Sequence, residues 1–252
     1  MTKTDTLPLQ DAPLPLFYKN VRPLDRHQDT HLKIKRVQNY NFAKGTNAIP
    51  LTAEEMGSAA VSYPIVFAGA PISVPAMVVG INNDENVFID AKGQWQADSY
   101  IPAYVRRYPF ILMEGKTEAE PLALCFDAAS NIIGTEGELP LFDNKEPTET
   151  LQQAIRFCTN MRSQAQFTTE FVTGLQQHNL LVPQQAKFTL PNGKEASLAG
   201  FQMIDTDRFQ KLPDTLLGEW HRRGWLALIY AHLLSNQNWQ KLLGMLATRT
   251  AA

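Results

Sequence analysis

Residues 220–235, WHRRGWLALIYAHLLS, constrain this chain more than any other stretch. The ten residues from Trp225 to Leu234 are apolar except for His232. A membrane-spanning helix needs about 20 such residues, so the run is half a span, and His221, Arg222 and Arg223 stand directly before it. Apolar on every side rather than along one stripe, it reads as a helix packed in the middle of a folded domain. Asp214 is placed to cap that helix, which is expected to run through the whole stretch.

The remaining composition fits a soluble globular body. Of 252 residues, 44% are hydrophobic and 19% charged, enough apolar material for a sizeable core. A net charge of -2 supplies no global field for nucleic acid or an anionic membrane, so neither is expected as a partner. The two cysteines, Cys125 and Cys158, have no second cysteine at metal-ligand spacing and sit in apolar or helical patterns, which reads as two small buried hydrophobes in a reducing compartment. The first 20 residues carry acids and prolines where an export signal needs a basic start and an unbroken apolar segment, so a cytoplasmic location is expected.

Residues 1–15 are proline-rich and read as a disordered or surface arm, followed by a single domain over 16–252; a division near 143–147, DNKEP, stays open. The partial alternation of residues 32–43 predicts a half-exposed strand. Thr52 followed by Glu55 is the pattern of a reciprocal helix cap, and predicts a short helix ending before Pro64. Short runs rich in branched and aromatic residues, IVFA, AMVVGI, NVFID, FILM and LALCFD, predict antiparallel strands in a meander. Between them lies a long aromatic connection, residues 91–109, with a short helix expected after Pro102. Residues 148–179 carry the three- and four-residue period of a long amphipathic helix. Asn192-Gly193 then marks a hairpin turn, a further strand covers 200–205, and helices follow. The expected class is α+β, an antiparallel sheet with helices mainly on one side and a helical C-terminal segment.

Familiar catalytic signatures are absent: there is no glycine-rich phosphate loop, dinucleotide fingerprint, nucleophile elbow or HExxH helix. On one continuous helix, His221 and His232 would be separated by about 16 Å, too far to share a metal ion. His232 is read as a hydrogen-bonded core residue, and Trp220 and Trp225 as core anchors before they are ligand platforms. His27 and His31, spaced four apart beside Asp25 and Asp29, have the residue types of a metal site, but Pro23 and the following strand pattern leave no helix to fix it. No metal and no cofactor are expected. The residues offered for ligand binding are Trp95, Asp98, Tyr100, Tyr104, Arg106 and Arg107 in the long connection, with Trp220, His221, Arg222 and Arg223 near the C-terminus. Arginine beside tyrosine is a workable holder of a carboxylate, phosphate or peptide terminus.

Three long phrases, NYNFAKGTNAIPLTAEEMGSAAVSYPIVFAG, SYIPAYVRRYPFIL and GFQMIDTDRFQKLPDTLLGEWHRRGWLALIYAHLLSNQNW, together resemble the SapC family of bacterial proteins from about residue 15 to 245. The resemblance implies a soluble accessory protein whose family name comes from surface-layer formation. It carries no catalytic motif onto these residues. A peptide-transporter permease shares the letters, but the half-span run is incompatible with a polytopic membrane protein. Three functions follow as expectations: a cytoplasmic accessory protein binding a peptide, a small anionic or aromatic ligand, or a partner enzyme; an enzyme without a familiar motif that combines His and Asp with Arg; and a surface-layer structural protein. Convergence of Asp98 or His221 with Arg106 or Arg107 in one concave site would favour chemistry, and their separation would favour binding.

Overall fold

The computed structural model describes residues 14–37, 39–69, 73–113, 122–189, 193 and 195–250. Its helices are α1 (Met56–Ala59), α2 (Ala103–Arg106), α3 (Glu149–Gln177), α4 (Thr206–Gln210), α5 (Asp214–Arg222), α6 (Trp225–Ser235) and α7 (Asn238–Thr250). Its strands pair antiparallel in four sheets, which makes the protein α+β as expected. The chain forms two compact units, one from the residues up to Arg36 together with Pro109–Thr150, the other from Val37–Tyr108 together with the residues from Leu151 onward.

In the first unit, Ala123–Asp127 is the central strand between Val21–Pro23 and Phe110–Met113. Its end is tied by the buried Asp127 carboxylate, which accepts hydrogen bonds from the backbone N–H groups of Lys19 and Asn20. Lys33–Ile34 is the middle strand of a second small sheet, flanked by Ile133–Gly134 and Leu139–Pro140. Gly137 is required there, because a Cβ would lie 2.8 Å from the Ile34 backbone. The half-exposed strand expected over 32–43 is therefore only two residues long. Its alternation ends at Lys35 and Arg36, both exposed, and Asn41–Ala43 coils into a 3-10 turn.

The second unit holds a five-stranded sheet in the order Leu181–Thr189, Glu195–Ile204, Ile65–Ala68, Val74–Val78, Ala48–Pro50. The continuous apolar runs of Ile65–Ala68 and Val74–Val78 take its buried centre, as period-free apolar strands should. NVFID forms an isolated antiparallel bridge, Ile89 to Trp95, rather than a full strand, and the buried Asn86 side chain fastens its start, donating to the Ala43 carbonyl and accepting from Phe88 N–H. The C-terminal hairpin has its turn residue Asn192 outside the described residues. Its second strand runs unbroken through Gly200, whose φ of +81° suits glycine, and a register shift lies between Gln184 and Ala186.

The helix expected through 220–235 is interrupted. Gly224 has φ of +75°, a left-handed conformation that ends α5 and lets α6 start in a new direction; Asp214 is the first helical residue after Pro213 rather than a cap. Trp220 and Trp225 are both 2% exposed and, with Phe171, form an aromatic cluster. The polar residues of α6 satisfy backbone N–H groups at the ends of two interior strands of the sheet. His232 Nε2 accepts from Ile204 N–H at 3.2 Å, and Ser235 Oγ accepts from Ile65 N–H at 3.0 Å. Asn238 donates to the carbonyls of Ala60 and Tyr63. With Nε2 as acceptor, a neutral His232 carries its proton on Nδ1, and burial pushes its pKa down to about 4.

Candidate functional site

The long connection folds against the capped turn at Thr52. Glu55, 6% exposed, is held there by four donors. Its Oε2 accepts from Thr52 N–H and the Thr52 hydroxyl, and its Oε1 accepts from Ala103 N–H at 2.6 Å and the Tyr100 hydroxyl at 2.9 Å. One carboxylate thus joins the start of α1 to the start of α2. A buried carboxylate with this many donors needs no counter-ion within hydrogen-bond reach.

Tyr100 in turn accepts from Arg106 Nη2 at 3.0 Å, so donors run from Arg106 through Tyr100 to Glu55. Burial, and then the neighbouring Glu55 carboxylate, push the Tyr100 hydroxyl up to about 12, so it stays protonated and donates. Arg106 spends its Nε on the Ile101 carbonyl, and among the described residues its Nη1 has no hydrogen-bond partner. These groups line a cleft of about 310 Å³ whose opposite wall is the middle of α3: Phe157, Asn160, Met161 and Gln164.

The other residues of the connection lie elsewhere. Trp95 is 8% exposed and donates from Nε1 to the Tyr63 hydroxyl, which donates to the Tyr100 carbonyl; the ring braces the wall rather than lining the cleft. Asp98 is exposed in a left-handed turn with φ of +58°, a conformation that aspartate tolerates better than most residues. Arg107 does not line the cleft. Its guanidinium lies 4.1 Å from the Tyr104 ring centroid, and Nη1 approaches Met161 Sδ at 3.8 Å.

A second cleft of about 340 Å³ lies where α3 meets α5 and the start of α6. Trp220, Trp225 and Arg223 line it, whereas His221 and Arg222 are exposed and line neither cleft. Arg223 has its guanidinium 4.0 Å from the Trp225 ring centroid and is paired with Glu170 at 3.4 Å and Glu219 at 3.8 Å. The sequence reading missed Glu170, His178 and Glu219 here, as it missed Glu54, Asn160 and Gln164 in the first cleft. Spread over α3, α5 and the turns beside them, these polar residues carry no local signal that separates them from solvated neighbours.

In the first unit, His27 and His31 are exposed. Their neighbouring carboxylates serve the local fold: Asp25 caps its own turn through His27 N–H and Gln28 N–H, and Asp29 takes a two-pronged hydrogen bond from Arg22 at 2.7 and 2.8 Å. Among the described residues no group of three His, Cys, Asp or Glu side chains is placed to hold a metal ion. Nor is any helix among them long and apolar enough to cross a membrane.

By its sheets and helices this is an α+β protein with two clefts along one long helix. Residues 24–242 match the SapC family, and the chain belongs to that family. No curated protein and no solved structure matches it.

Proposed function

We propose that this SapC-family chain is an accessory binding protein that holds a small carboxylate-bearing molecule or a peptide end in the cleft between α2 and α3. The observation that carries the reading is Arg106: its guanidinium is oriented by Tyr100 and Ile101, lines a concave site, and keeps the Nη1 donors uncommitted. A guanidinium held by two hydrogen bonds loses less side-chain freedom when an anion arrives, which favours capture of a planar carboxylate. Phe157, whose ring centroid is 5.3 Å from the Arg106 guanidinium carbon, offers an apolar surface for the body of an aromatic acid, while Asn160 supplies an amide for a peptide; Gln164 is held by Glu54, to which its Nε2 donates at 2.6 Å.

Two features support binding over catalysis. Asp98 and His221 do not line the cleft with Arg106, so no carboxylate and imidazole pair converges on the anion position. The buried carboxylate that is present, Glu55, has both oxygens occupied by donors.

Titration calorimetry with indole-3-acetate, benzoate and an acetylated tripeptide bearing a free carboxylate tests the proposal. The parent protein is expected to bind at least one of them, and Arg106→Ala to weaken that binding about tenfold or more with an unchanged melting curve. No binding of any of the three, or equal binding by the variant, would refute this assignment.

A further inference from the structure

The second cleft holds a cation already, and that cation belongs to the protein. Arg223 lies over the face of Trp225 with a carboxylate on either side, Glu170 from α3 and Glu219 from α5. An aromatic face flanked by acids is the arrangement that recognises organic cations. Three observations make Arg223 a replaceable occupant.

Its ion pairs are long and exposed: the side chains of Arg223, Glu170 and Glu219 are 42%, 50% and 54% accessible. Such pairs contribute little to stability, so leaving them costs little. Arg223 is also the residue between the end of α5 and Gly224, where the chain turns through a left-handed conformation. Finally, Trp225 is otherwise sealed from solvent, and its indole N–H has no hydrogen-bond partner among the described residues. Buried donors without partners are uncommon in folded proteins and call for a specific reason. A ligand with a carbonyl acceptor near its cationic group satisfies that donor as well as the two acids.

We infer that this cleft is a binding site for a guanidinium or alkylammonium group carried next to a carbonyl, as on a peptide, and that Arg223 fills it when the ligand is absent. The volume of about 340 Å³ suits one long basic side chain with its flanking amides. His178, edge-on to Trp220 with ring centroids 5.4 Å apart, closes one side. The site stands apart from Arg106 and takes the opposite charge.

The test uses the full chain and two neutral-backbone probes: N-acetylargininamide, and N-acetylcitrullinamide, which replaces the guanidinium by a urea of the same shape. Binding is followed by tryptophan fluorescence and by the Trp225 indole N–H resonance, assigned with Trp225→Phe. Arg223→Ala, which removes the internal competitor, is expected to bind the arginine probe about fivefold to tenfold more tightly than the parent does. The same variant should leave the citrulline probe unbound, and the Trp225 resonance should shift on saturation with the arginine probe. Adding Glu170→Gln and Glu219→Gln to Arg223→Ala should abolish binding. Arg222→Ala removes an equal charge one residue away and should match the parent. The inference is overturned if Arg223→Ala fails to bind the arginine probe, binds both probes alike, or gains no more than Arg222→Ala does.

Discussion

Trp225 occupies the space that a side chain at position 174 would need: a Cβ built on Gly174 would lie 2.3 Å from Cζ3 of the indole. In the interior of a helix, Gly→Ala ordinarily stabilises by about 0.5–1 kcal/mol. Here the sign should reverse. Gly174→Ala is expected to lower stability by about 1–3 kcal/mol, because the rigid ring or α3 itself must move. Urea unfolding measures it, and a variant more stable than the parent would mean that Trp225 does not sit against α3.

Trp225→Ala addresses the same contact from the other side. The ring packs on Phe171 and Trp220 with centroid separations of 5.7 and 5.5 Å and is 2% exposed. A loss of about 3–5 kcal/mol is expected from so large a cavity. A parental melting curve would contradict the burial.

His232 gives the protein an acid-side dependence. Its folded pKa is pushed down to about 4 by burial, against an ordinary value of 6.5. Between those values the unfolded chain binds the proton and the folded chain does not. Stability is therefore full above about pH 6.5 and falls as the pH drops toward about 4, by about 3 kcal/mol in total for this group. In His232→Gln the amide oxygen can still accept from Ile204 N–H without titrating. Its urea midpoint should vary less over that window, and equal pH slopes for variant and parent would remove His232 as the cause.

The two adjacent arginines should separate by readout. Arg107→Ala removes a guanidinium packed on Tyr104 and Met161, and should cost about 1–2 kcal/mol of stability with little change in carboxylate binding. Arg106→Ala should do the reverse. Glu55→Ala leaves the N–H groups of Thr52 and Ala103 without their acceptor and should cost about 3 kcal/mol or more. Paired calorimetry and thermal melts on the three variants decide this, and matching profiles for the two arginines would refute the division.

Both thiols should resist modification. Cys125 and Cys158 are 1% and 4% exposed, and burial raises each to about 11. Ellman's reagent at pH 8 is expected to react with both only as the protein unfolds. Prompt reaction of either in the native state would show that its packing opens.

The sequence by itself determined the features that depend on neighbours a few residues apart. Thr52 and Glu55 meet because a helical start brings residues three apart together, and α2 begins directly after Pro102, its extended N-cap. The 220–235 run departs from the reading as a helix packed on every side: α6 buries one stripe, Trp225, Ile229, His232 and Ser235, while Tyr230 and Leu234 are 54% and 64% exposed. The break at Gly224 was open to the same reading only as a residue able to turn left-handed. Only the tertiary structure decided what lies across from what. It pairs some strands that are far apart in sequence, Phe201 lying opposite Ala68. Glu170 is an exposed acid on α3 with nothing local to single it out until Arg223, 53 residues later, is folded against it. Periodicity reports which face of an element is apolar, but which polar group meets which is set by the packing of whole elements, and no local spacing encodes it.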